Sequence, residues 1–194
     1  MSNGIGRLFK LQAKINMMVV DGTRDAEEVA DALQVVLERK ILAGILEEGG
    51  LINLSAVDRF VVSEKFKVDV NGELPISYLG DNLWENFLDL VEENVPAMTV
   101  RKRKLLKSSP DKRILAALGD NNLDKIEKAR TYLAHVFEFL KTADRNKWYV
   151  FYVADKNGNV WAVFAAWNVG GWDVGAFSVQ DPIGWCGGDL VVSR

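Results

Sequence analysis

The residues best equipped to act together are the cations of 101–113. Arg101, Lys102, Arg103, Lys104, Lys107, Lys112 and Arg113 place seven positive charges in thirteen residues, against one acid, Asp111. Such clusters neutralise phosphates and give salt-dependent affinity for nucleic acid, or they dock an acidic protein. The same spacing has a plainer use. On a strand, Arg101 and Arg103 face away from Lys102 and Lys104. A charged edge strand resists unwanted pairing, and the acidic first half of the chain can neutralise these cations internally. The second constellation is aromatic: Trp148, Trp161, Trp167, Trp172 and Trp185 are five of the six tryptophans. Strand alternation puts Trp161, Val163, Ala165 and Trp167 on one face. It likewise groups Trp172, Val174, Ala176 and Ser178, so Trp167 and Trp172 can meet across Gly170-Gly171. A ledge of this kind stacks bases or sugars; its alternative role is the core of a small sheet. Trp185, in the loop Pro-Ile-Gly-Trp-Cys-Gly-Gly, is the tryptophan expected to be exposed, and it joins the seven cations as a candidate binding residue.

Other reactive types are sparse. The single histidine, His135, sits among Leu133, Val136 and Phe137 on a helical stretch, which suits a structural imidazole. Thiol chemistry would need Cys186 with His135 and a carboxylate, and no nucleophile signature surrounds either residue. One histidine and one cysteine cannot build a zinc site, which takes about four nitrogen or sulfur ligands. Asp155, Asp173, Asp181 and Asp189 recur late in the chain, and a pair of them can do acid–base work or hold a divalent ion. Asp155 and Asp181 sit in turns, where Asp is a turn former; Asp173 lies within a strand. No phosphate loop, dinucleotide fingerprint, zinc-protease or calcium-loop pattern occurs. No residue is singled out as catalytic, and no cofactor or metal is implied.

The elements that must position these groups follow from periodicity. Ile5, Leu8, Leu11, Ile15 and Met18 recur at helical spacing, predicting a helix over 4–20. Asp21-Gly22 stops it, and Asp25 with Glu28 starts a second helix over 25–40, forming a helical hairpin. The acidic start of that second helix, Glu27, Glu28 and Asp31, disfavours a DNA-recognition helix; its apolar stripe instead suits internal packing or self-association. A short helix is expected over 41–48, then a seam near 49–58. A strand over 59–70, its partner over 74–79, a helix from 81 to about 91, a strand over 97–106 and a helix over 110–119 come next. A longer helix over 123–141 precedes four strands, 148–154, 159–168, 172–179 and 189–193, the first two joined at Asn157-Gly158. The expected fold class is α+β: a helical hairpin over 1–50, then a mixed domain over 58–194 that ends in an antiparallel β-meander packed on a helix.

Charge and composition bound the role. Residues 1–97 carry 9 basic and 17 acidic side chains, 98–128 carry 9 and 4, and 129–194 carry 6 and 6, for a net charge of −3. Apolar residues make up 48% and charged residues 26% of 194, which excludes wholesale disorder. One cysteine excludes an internal disulfide. No run approaches the roughly 18–20 apolar residues needed to span a bilayer, and Arg7, Lys10 and Lys14 interrupt any signal peptide. The expected compartment is the cytoplasm, with no membrane association.

Several segments together carry a resemblance. They are Ile76-Ser77-Tyr78-Leu79-Gly80-Asp81-Asn82, Lys107-Ser108-Ser109-Pro110-Asp111 with Leu118-Gly119, and Phe151-Tyr152-Val153 with Asp155 and Gly158. Gly171-Trp172 with Val174, Ala176, Ser178 and Val179, then Trp185 and Val192-Ser193-Arg194, complete the set. Over roughly 60–194 the chain resembles a family of uncharacterised bacterial proteins. That resemblance implies a bacterial source and one recurrent fold, and carries no activity with it. The leading expectation is a non-catalytic binding or accessory protein that uses the 101–113 segment and Trp185 toward a nucleic acid or an acidic protein. One alternative is a small hydrolase or nuclease using Asp173, Asp189 and His135. Another is a homo-oligomeric component assembled through the N-terminal helices.

Overall fold

A computed structural model describes residues 44–120 and 126–194, with a few positions between 19 and 29. The chain divides into two units, Met1–Ala43 and Gly44–Arg194. The expected helical hairpin falls almost wholly outside the described residues.

The second unit is built on a seven-stranded sheet of order β1-β5-β11-β7-β8-β9-β3. The strands are β1 (Leu46–Leu54), β3 (Ile76–Leu79), β5 (Met98–Leu105), β7 (Trp148–Ala154), β8 (Val160–Asn168), β9 (Gly171–Ser178) and β11 (Leu190–Ser193). Two small ribbons pair β2 (Val57–Val61) with β4 (Val91–Val95), and β6 (Ser109–Pro110) with β10 (Gly184–Trp185). Four short helices complete the unit: α1 (Val62–Lys65), α2 (Asp81–Phe87), α3 (Asp111–Leu118) and α4 (Leu133–Leu140).

This corrects the expected α+β class. The described protein is mostly sheet, and the sheet is mixed. The last strand does not follow β9 in a meander; β11 inserts between β5 and β7, antiparallel to the first and parallel to the second. At the far edge β3 runs parallel to β9, and of the expected pairing with 59–70 a single antiparallel bridge, Asp69 with Ile76, is present. The expected strand over 59–70 is instead β2 followed by the turn of α1. Residues 46–50, expected to be helix and loop, belong to β1, and 49–58 spans β1 and the start of β2. Pairing decides this segment: Glu47 and Glu48 lie opposite Lys104 and Arg103, and opposite charges across a strand pair favour it. Gly49 makes the bulge there possible, since a Cβ would stand 2.4 Å from the Lys102 carbonyl oxygen. Among the described residues of the expected 123–141 helix, Leu133–Leu140 is the helical part. Before it, the Thr131 backbone N–H donates to the Tyr152 carbonyl and ties the segment to β7.

The sheet is covered on both faces, which is why β7 reads as an unbroken apolar run, Trp-Tyr-Val-Phe-Tyr-Val-Ala. Tyr149, Phe151 and Val153 join the core under α4; Val150 and Tyr152 join the core under α3. Seven of the eight α4 residues are buried. Phe60, Phe66 and Phe137 meet edge-on at 5.6–6.2 Å over this side. Each fully buried ring contributes roughly 1.5–3 kcal/mol. α4 has no capping side chain of its own at Tyr132. The Glu92 carboxylate of β4 supplies the acceptors, taking the Leu133 and Ala134 N–H groups at 2.9 and 2.8 Å. Burial holds Glu92 above the usual carboxylate range, against those two hydrogen bonds and Arg130.

Candidate binding surface

The seven cations do not form one face. Arg103 lies beside Val191 and Arg101 beside Ser193, on the α3 side of the sheet; Lys102 lies beside Val192, on the α4 side. Glu48 takes Arg101 and Arg103 at 2.6 and 2.9 Å, and Glu47 lies 3.7 Å from Lys104. Hydrogen bonds from Arg103 and Arg101 hold Glu48 below the usual carboxylate range, against the burial that raises it. Lys107 and Lys112 are exposed on the following loop and on α3, and Arg113 is half-buried. Glu47 and Glu48 of the acidic first half thus engage three of the strand's four cations, Arg101, Arg103 and Lys104.

Trp185 is 5% exposed, contrary to expectation. It anchors the loop after β9: its indole Nε1 donates to Asp111 Oδ1 at 2.7 Å, beside the Tyr152 hydroxyl, which donates to the same oxygen at 2.8 Å. Asp111 opens α3, is 1% exposed, and its Oδ2 is buried without a hydrogen-bond partner. Burial pushes the Asp111 carboxyl up to about 6, against the Trp185 and Tyr152 hydrogen bonds, with Asp181 adding to the rise. Burial, then the Asp111 charge, push the Tyr152 hydroxyl well up.

His135 is buried on the α4 side, edge-on to Tyr132 at 5.6 Å. Burial pushes its imidazole down, opposed by the Ser55 and Pro96 backbone. Asp173 belongs to the opposite face of β9, since its neighbours Trp172 and Val174 join the α4-side core. Asp189 lies in the turn before β11, accepting the Cys186 N–H at 2.8 Å. The sheet therefore separates His135 from Asp173, and these groups do not converge. Among the described residues no group of three His, Cys, Asp or Glu side chains is placed to hold a metal, and no helix is long and apolar enough to cross a membrane.

Three surface cavities of about 400, 350 and 770 Å³ involve neither His135 nor Asp189. The largest has Phe66, Val68, Trp84 and Leu88 among its walls.

The surface with the most distinctive chemistry is a row of aromatic rings on the α3 side of the sheet, beyond the part that α3 covers. Trp148 of β7 stacks on Phe164 of β8 at 6.0 Å and 19°. Phe164 stacks on Phe177 of β9 at 5.3 Å and 18°. Tyr78 of β3 lies on the same face but apart from the stack, in register with Asp173 and so level with Trp148 rather than Phe177. Trp148 is 53% and Tyr78 51% exposed, while Phe164 and Phe177 are half-buried. Trp185 closes the row, 6.2 and 6.0 Å from the Phe164 and Phe177 rings. Glycines allow the close packing here. A Cβ on Gly175 would stand 2.5 Å from the Phe164 ring, and one on Gly80 3.2 Å from the Gly175 Cα. Polar groups border the row: Asp173 takes the Ser77 hydroxyl at 2.7 Å and the Asn168 amide at 2.9 Å.

The expected tryptophan ledge is therefore composed differently. Trp161, Trp167 and Trp172 turn to the α4 side, where Trp167 and Trp172 meet edge-on at 5.4 Å and 87°. Of the five late tryptophans only Trp148 is prominent on the aromatic row. Counting tryptophans missed Phe164, Phe177 and Tyr78. The signal was present in the small residues around them, Ala162 and Ala166 beside Phe164, and Gly175 opposite it.

Comparison with protein-family models, with curated proteins and with solved structures finds no match to this chain.

Proposed function

We propose that this protein is a non-catalytic binding module that presents its ligand with the aromatic row Trp148–Phe164–Phe177. The observation that carries the reading is the exposure of Trp148 at the end of the stacked rings of Phe164 and Phe177, with a second exposed ring, Tyr78, on the same face. Aromatic side chains kept at a surface normally serve an interface, because burying each would favour the fold. Stacking on a sheet is sequence-tolerant and suits a ligand with flat apolar faces. The 101–113 cations are secondary in this reading, since Glu47 and Glu48 already engage three of them. Separation of His135 from Asp173 supports a module without a hydrolytic site.

The test is titration of the protein with oligosaccharides and single-stranded oligonucleotides, followed by tryptophan fluorescence. Trp148→Ala should abolish the response to whichever ligand binds and leave thermal unfolding within about 0.5 kcal/mol, as for an exposed side chain. A ligand bound equally well by Trp148→Ala would remove the row as the site.

A further inference from the structure

Resting on the binding-module reading, we infer that the ligand of the aromatic row is a neutral oligosaccharide, its pyranose rings stacked on Trp148 and Phe164 and its hydroxyls met by Asp173, Asn168 and Ser77. Three observations separate this ligand from a nucleic acid.

The first is the polar border. Trp148 pairs with Ala166, and Ala166 pairs with Asp173, so indole and carboxylate flank one small residue on the same face. Two strand spacings put their backbones about 10 Å apart, a span for one or two sugar rings. The Asp173 oxygens, the Asn168 amide and the Ser77 hydroxyl are acceptors and donors in close array. Hydroxyl groups can use both kinds. A phosphate could not: the carboxylate would repel it.

The second is charge. Phosphate recognition needs cations on the face that stacks the bases. The strand-borne cations on this face, Arg101 and Arg103, share Glu48; Lys107, Lys112 and Arg113 lie on the loop after β5 and on α3. Arg145 and Lys147 are both exposed before Trp148, and Arg145 lies over the Trp167 ring of the other face at 3.9 Å. The third is shape. The Phe164 ring lies on Gly175, and its plane is within 19° of the Trp148 and Phe177 ring planes. A stacked pyranose needs such a floor, because its apolar C–H face is broad and shallow.

The experiment is calorimetric titration of the full chain with cello-, chito-, xylo-, laminari- and manno-hexaose, and in parallel with oligothymidylate and oligouridylate, at low and high salt. One hexaose should bind with an affinity unchanged by salt. Trp148→Ala should weaken it at least tenfold, Trp148→Phe should recover most of the loss, and Asp173→Asn should weaken it severalfold. Oligonucleotide binding through Trp148 without hexaose binding would overturn the oligosaccharide and retain the module. A hexaose that binds Trp148→Ala normally would overturn the site. No binding by either class at millimolar concentration would overturn both the inference and the reading beneath it.

Discussion

Replacing Asp111 by Asn should convert a pH-dependent protein into one whose stability is flatter from pH 4 to 8. In the folded state the carboxyl is raised from 3.8 to about 6. The folded chain therefore holds this proton between those values while the unfolded chain releases it. Stability from this group is complete below about pH 4, falls as pH rises, and is lost above about pH 6. Two units correspond to about 3 kcal/mol. Asparagine keeps an oxygen where Trp185 and Tyr152 donate, and it never ionises. Its amide would occupy the position of the unpartnered Oδ2, where the parent's protonated carboxyl likewise buries an unmatched donor. The variant should thus be about as stable as the parent near pH 4 and more stable near pH 8, the difference between the two curves changing by about 3 kcal/mol. Urea unfolding followed by tryptophan fluorescence at half-unit pH steps reads this directly, because Trp185 is the hydrogen-bond partner. The difference curve removes carboxylates elsewhere, including Glu73, which hydrogen bonds from Lys141 and Lys65 hold down at about 2. Parallel pH profiles for parent and variant would refute the reasoning. So would a variant more than 3 kcal/mol less stable at pH 8, which would mean that an ionised Asp111 is well supported.

Glu92→Ala should cost about 2–3 kcal/mol in urea unfolding, because two buried N–H groups at the start of α4 lose their acceptors; Glu92→Gln, with one oxygen left, should fall between. Gly175→Ala should cost about 1–3 kcal/mol and alter the near-ultraviolet circular dichroism, since its methyl occupies the place of the Phe164 ring; unchanged spectra would mean that the ring does not lie on this glycine.

The aromatic row and the buried carboxyl belong to one arrangement. Asp111 holds Trp185, and Trp185 packs on Phe164 and Phe177. The loop carrying Trp185 is pinned at the same place by the β6–β10 pairing, Ser109 with Trp185. A residue expected at the surface is instead the post that steadies the inner end of the row. No local pattern could announce this, because Asp111 and Trp185 are 74 positions apart.

What the sequence by itself determined is local. The Asn157-Gly158 turn, the alternation along β7, β8 and β9, the opposition of Arg101 and Arg103 to Lys102 and Lys104, and the Trp167–Trp172 pair all follow from a period of two and from short-range turn chemistry. Tertiary structure decided the rest. Alternation sorts side chains onto two faces and is silent on what covers each face. Pairing between distant segments made β1 a strand, placed β11 parallel to β7 in mid-sheet and put β3 beside β9. α4 covered the face that takes Trp161, Trp167 and Trp172, and α3 stopped short of Trp148. The candidate site is the part of the sheet that none of the four described helices covers, and that boundary exists only once the strands have been ordered.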